Sequence, residues 1–192
     1  MKATPVLHIP NILSVSRVVA TPIVAALVLG GERARAAACV LACLVAFTDL
    51  IDGPIARRMG LATYLGSMID MTCDKVYMCT LLIVLAVAGL SPVWAAAIIA
   101  SREVLVLWLR VVASEHGRQP PIAMCGRLKT FMVYLLVPLA LAGAPWQAVW
   151  FLAFVASASA LGSLIEYVVK LRDLFATAFV VPQQPSESEG GK

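Results

Sequence analysis

Long apolar runs alternate along the chain with short clusters of glycine, proline and charge. Six stretches, at about 11–30, 34–57, 66–88, 91–114, 127–144 and 147–170, approach or exceed the roughly 20 mainly apolar residues that a helix needs to cross a bilayer. The interruptions "LGGERAR", "GLSP", "HGRQPP" and "AGAPW" carry the residues that end helices and begin turns. Connections this short predict one bundle, so the expected fold is all-α: a polytopic membrane protein built as a six-transmembrane-helix bundle, with residues 1–175 forming a single catalytic domain. From Pro182 the chain reads "PQQPSESEGGK", and residues 182–192 are expected to be a disordered tail without chemistry.

Composition strengthens the membrane reading. Of 192 residues, 61% are hydrophobic and only 14% charged, and the mean hydropathy is +0.90, well outside the range of ordinary soluble domains. The net charge of +4 lies between apolar runs and not in a basic stripe with exposed aromatics, so nucleic acid is not an expected partner. These charges instead predict topology and contact with anionic membrane lipids. With the N-terminus inside, Lys2, Arg57, Arg58, Arg118, Arg127, Lys129, Lys170 and Arg172 fall on the cytoplasmic side, against Arg33 and Arg35 outside. Both termini are then cytoplasmic. The first apolar run follows "MKATPVLHIPN" without a small-residue cleavage signature and is expected to be a retained span. Five cysteines without a CxxC pair read as small packing residues.

The stretch Thr48–Met78, "TDLIDGPIARRMGLATYLGSMIDMTCDKVYM", conflicts with this apolar pattern. Asp49 and Asp52 are three residues apart, and Asp70 and Asp74 four apart, so each pair shares one helix face. Like charges at those spacings repel, and carboxylates at a membrane edge call for protonation, an arginine partner or a bound cation. An all-oxygen set without His or Cys favours a hard ion, Mg²⁺ or Mn²⁺. Gly53 and Ala56 leave room for close approach of a ligand, and Arg57 offers a fork of donors to phosphate oxygens. Gly66 allows the second and third helices to pack closely.

Asp49-x-x-Asp52-Gly53-x-x-Ala56-Arg57, then eight residues and Gly66-x-x-x-Asp70-x-x-x-Asp74, resembles the signature of the CDP-alcohol phosphatidyltransferase family at all eight defining positions. The resemblance implies a six-helix bundle, usually a homodimer, whose cytoplasm-facing cavity binds a CDP-linked lipid through two divalent cations. It assigns Asp49, Asp52, Asp70 and Asp74 to the metal site and Asp74 to the general base. It assigns Asp52, Gly53, Ala56, Arg57 and Gly66 to binding of the CDP-diacylglycerol donor.

The signature does not choose the acceptor alcohol. The flanking runs "IPNILSVSRVVATPIVAALVL", "SREVLVLWLRVVASEHGR" and "GRLKTFMVYLL" resemble the corresponding parts of the bacterial phosphatidylglycerophosphate synthases, a subgroup of the inner (cytoplasmic) membrane whose acceptor is glycerol 3-phosphate. Arg17, Arg102, Arg110, Arg127 and Lys129 are the cations expected to surround that acceptor's phosphate. Departures occur: "IDMTCDK" stands where the subgroup tends to carry a proline after the third aspartate, and Pro54 where a larger residue is commoner. Synthesis of phosphatidylinositol phosphate, cardiolipin or phosphatidylserine by the same chemistry is the alternative, and a divalent-cation transporter or a non-catalytic relative a remote one.

Overall fold

The apolar runs form helices, and glycine ends them. In the computed structural model, backbone is described for residues 9–58, 64–117 and 124–172, and side chains for 16–48, 69–117 and 126–172. Among these residues there are six helices and no strand: α1 (Ile9–Leu29), α2 (Glu32–Arg58), α3 (Tyr64–Val87), α4 (Val93–Glu115), α5 (Met124–Leu141) and α6 (Trp146–Lys170). The all-α expectation holds, with each helix within a few residues of its predicted stretch.

Two turns show how the sequence sets these limits. After α3, Gly89 adopts φ +71°, its N–H donates to Ala86 O at 3.1 Å, and the Leu90 N–H donates to Leu85 O at 2.8 Å. After α5, Gly143 at φ +77° repeats the arrangement, with Ala144 N to Leu139 O at 3.0 Å. This paired capping satisfies the last carbonyls of a helix and requires a left-handed residue, which glycine supplies without a Cβ clash. Pro92 and Pro145 then stand immediately before α4 and α6, where a missing N–H costs nothing.

The helices close a ring in the order α1, α2, α5, α6, α4, α3, each touching its two neighbours, while α3 also meets α5 across the interior. One core fills that interior, with Val24, Ala38, Leu82, Leu85, Ile99, Leu136 and Ala153 fully enclosed. Small side chains dominate the buried face of α6, at Ala153, Ala156, Ser157, Ala160 and Ser163, so neighbouring backbones approach closely. A second cluster, Val106, Leu109, Ala113, Tyr167 and Leu171, joins α4 to the C-terminal half of α6.

Large apolar residues also cover the outside of the ring. Val40, Leu44 and Phe47 on α2, Trp108 on α4, Phe131 on α5 and Phe151, Phe154 and Ile165 on α6 are all exposed. Trp94, Trp146 and Trp150 form edge-to-face contacts with ring centres 5.7 Å apart at the starts of α4 and α6. By length and composition, one helix among the described residues, Trp146–Lys170, is long and apolar enough to cross a membrane, and Ser16–Leu29 is a shorter apolar segment. The other helices carry the charges that the interior collects.

Candidate active site

Helix α3 presents Asp70 and Asp74 one turn apart, as their spacing predicts. Asp70 is half-exposed, and its Oδ1 accepts from Arg17 Nη1 at 3.1 Å. Arg17 rises from α1 and is itself only 2% exposed. Asp74 lies deeper: its Oδ2 accepts from Lys75 Nζ at 2.9 Å and its Oδ1 from the Tyr134 hydroxyl on α5 at 3.4 Å. Asp49, Asp52, Gly53, Ala56 and Arg57 fall on α2, and Gly66 on α3, but their side chains lie outside the described residues. So does the tail 182–192.

Beside Asp74 a partly open cavity of about 610 Å³ lies between α3, α4, α5 and α6. Its lining includes Lys75, Arg102, Glu103, Arg110, Arg127, Lys129, Tyr134 and Tyr167. Four of the five cations expected around the acceptor therefore converge on one space. Arg17 is not among the residues lining it and pairs with Asp70.

Glu103 organises the cluster. Its Oε1 receives Lys129 Nζ at 2.5 Å and Arg102 Nη1 at 2.8 Å, and its Oε2 lies 3.3 Å from Lys75 Nζ. Lys129 is 1% exposed, its ammonium reaching the Glu103 carboxylate across the bundle. Arg102 also donates from Nε to Ser163 Oγ at 3.0 Å, tying α4 to α6. Arg110, two turns along α4, donates to the Tyr167 hydroxyl from Nε at 2.9 Å and from Nη2 at 2.7 Å. Arg127 is exposed at the rim.

Lys75, Tyr134 and Tyr167 are not among the site residues expected from the sequence. Lys75 had a signal, since it adjoins Asp74 in "CDK", whereas the two tyrosines look like ordinary apolar-face residues until the helices are packed. Replacing Tyr167 by Phe keeps the enclosed ring but removes the acceptor of both Arg110 hydrogen bonds. Bonds to charged groups are worth about 1.5–3 kcal/mol each. The expected result is an increase of about tenfold in the acceptor KM, equivalent to about 1.4 kcal/mol, with the donor KM little changed, measured by steady-state CMP release.

The described donor set, two carboxylates one turn apart on α3, fits a hard divalent cation. Among the described residues no group of three His, Cys, Asp or Glu is close enough to hold a metal, the other two aspartates having undescribed side chains. The four cysteines described, Cys39, Cys43, Cys73 and Cys79, are free thiols.

The chain belongs to the CDP-alcohol phosphatidyltransferase family, whose sequence model matches residues 7–165. It is 31% identical over 150 residues to the CMP-forming cardiolipin synthase of Streptomyces coelicolor, a match covering 74% of this chain and 70% of that protein. It is 30% identical over 143 residues to the CDP-diacylglycerol–glycerol-3-phosphate 3-phosphatidyltransferase of Bacillus subtilis, covering 68% of this chain and 74% of that one. A probable phosphatidylglycerophosphate synthase of Mycobacterium tuberculosis is 35% identical over 129 residues, 65% of this chain and 61% of its own length. The protein is therefore a phosphatidyltransferase of phospholipid biosynthesis, an enzyme and not an ion transporter.

Proposed function

We propose that the enzyme transfers the phosphatidyl group of CDP-diacylglycerol to glycerol 3-phosphate, giving phosphatidylglycerophosphate and CMP. The observation that carries this reading is the charge of the cavity beside Asp74: Lys75, Arg102, Arg110, Arg127 and Lys129 line it against the single carboxylate of Glu103. Arg102 and Lys129 are buried among them, and cations gathered in such excess are costly without a counter-charge, which the phosphate of glycerol 3-phosphate brings. The Bacillus and Mycobacterium relatives bear names consistent with this acceptor.

In this reading Asp49, Asp52, Asp70 and Asp74 hold two divalent cations, Mg²⁺ or Mn²⁺, with Arg17 fixing Asp70. Asp52, Gly53, Ala56, Arg57 and Gly66 receive the cytidine diphosphate. The bound cations supply charge neutralisation for the diphosphate and the departing CMP. Arg102, Arg110, Arg127 and Lys129 hold the acceptor's phosphate, which sets its hydroxyl beside Asp74. The hydroxyl oxygen bonds to the phosphorus that bears the lipid while its proton passes to Asp74. The bond from that phosphorus to the bridging oxygen breaks, and CMP leaves with that oxygen.

The same reading makes residues 1–175 one catalytic domain with six membrane spans, acting as a homodimer in a bacterial cytoplasmic membrane, with both termini and the site on the cytoplasmic side. The apolar outer surface of the ring supports immersion in lipid. The tryptophans at one end of α4 and α6 suit an interfacial belt, opposite the end where Lys170 and Arg172 lie.

A second reading, cardiolipin synthesis with phosphatidylglycerol as acceptor, is favoured by the likeness to the Streptomyces enzyme. Purified protein in lipid nanodiscs, given labelled CDP-diacylglycerol and each acceptor in turn, separates the two. CMP release is expected with glycerol 3-phosphate and not with phosphatidylglycerol, serine or inositol phosphate. Release with phosphatidylglycerol alone assigns the protein to cardiolipin synthesis.

A further inference from the structure

Asp74 and Glu103 stand on different helices, and one ammonium joins them. Lys75 Nζ is 2.9 Å from Asp74 Oδ2 and 3.3 Å from Glu103 Oε2. The other Glu103 oxygen is occupied by Lys129 and Arg102. An unbroken chain of ion pairs thus runs from a carboxylate assigned to the cation site to two cations assigned to the acceptor's phosphate. We propose that Lys75 and Glu103 are positioning residues that couple acceptor binding to divalent-cation binding at Asp74. The inference rests on the reading above, in which the acceptor carries a phosphate.

Glu103 has two oxygens and three cationic partners; Glu103, Arg102 and Lys129 are buried and Lys75 mostly so, and burial strengthens their competition for one carboxylate. A phosphate that reaches Lys129 and Arg102 gives them oxygens of its own. Glu103 is then released toward Lys75, and Lys75 is drawn away from Asp74 Oδ2, leaving that oxygen for a cation. In the other direction, a dication beside Asp74 repels the Lys75 ammonium toward Glu103. This loosens the grip of Glu103 on Lys129 and Arg102 and frees their N–H groups for phosphate. Both displacements act in the same sense, so each ligand strengthens the other, by the same factor in both directions. Direct attraction between dication and phosphate adds to the coupling but does not pass through Lys75, so a Lys75 variant separates the two contributions.

The test is Mn²⁺ binding to the full-length protein in nanodiscs, read by electron paramagnetic resonance with no donor present, so that turnover plays no part. Saturating glycerol 3-phosphate is expected to strengthen Mn²⁺ binding to the wild type about tenfold, within the usual range of coupling between sites. In Lys75→Met the factor is expected to fall to about twofold, with Mn²⁺ affinity in the absence of acceptor raised toward the acceptor-bound value of the wild type. Lys75→Arg is expected to restore most of the coupling, which a purely structural role for the side chain does not predict. Tenfold coupling retained in Lys75→Met overturns the relay. So does a wild type that binds both ligands independently, and in that case the acceptor assignment stands. If inositol phosphate binds in place of glycerol 3-phosphate, the named acceptor falls and the same comparison, made with inositol phosphate, decides the relay. Absence of binding by any phosphorylated acceptor removes both.

Discussion

Replacing Asp74 by Asn is expected to lower CMP release by about a thousandfold or more while leaving the folded protein intact. The change is nearly isosteric, and the amide oxygen can still accept from Lys75, which lies 2.9 Å from the native carboxylate. What is lost is the negative charge that would hold a cation and take a proton from the acceptor hydroxyl. Proton transfer by a positioned side chain is worth about 10²–10⁴ in rate, and loss of a metal ligand adds to that. CMP release and the thermal midpoint of purified protein in nanodiscs check the two halves of the expectation. Activity within tenfold of wild type would remove Asp74 from the chemistry.

The largest effect on stability is expected from Glu103→Gln. Glu103 is 3% exposed and neutralises Lys129, Arg102 and Lys75 together. Gln preserves the shape but leaves several cations in the interior without their shared counter-charge, and turns an amide N–H₂ toward one of them. Breaking a buried ion pair by removing one partner costs about 3–5 kcal/mol, a large part of the stability of a domain this size. A clear drop in thermal midpoint and in folded yield is expected. Glu166→Gln provides the control, because the Glu166–Lys170 pair lies at i, i+4 on the surface of α6, with side chains 28% and 45% exposed. Pairs of that kind contribute less than about 1 kcal/mol. Similar melting of the two variants would mean that the buried cluster is not what holds α3, α4 and α5 together.

These two residues differ in how far the sequence revealed them. Asp74 is legible because its spacing from Asp70, four residues along one helix, needs no tertiary information. The helices themselves are legible for a related reason: apolar runs of sufficient length, closed by Gly89 or Gly143 and restarted after Pro92 or Pro145, express local backbone physics. Glu103 has no such marker in the sequence beyond its place next to Arg102. That it also gathers Lys75 from α3 and Lys129 from α5 depends on the ring order of the helices, which no local pattern contains.

Arg17 illustrates the same boundary. In sequence it is one more intramembrane cation, of the same kind as Arg102 and Arg110, and all were expected around one phosphate. Packing α1 against α3 delivers it to Asp70 at 3.1 Å, while the α3, α4, α5 and α6 walls bring Arg102, Arg110, Arg127 and Lys129 to a separate cavity. The sequence by itself determined the helices, their turns and the spaced aspartates that mark the family, because these depend on residues close together along the chain. Only the tertiary structure decided which cation meets which carboxylate and which of them line one cavity, because ion pairing across a bundle is fixed by which helices are neighbours and how deeply each side chain is buried.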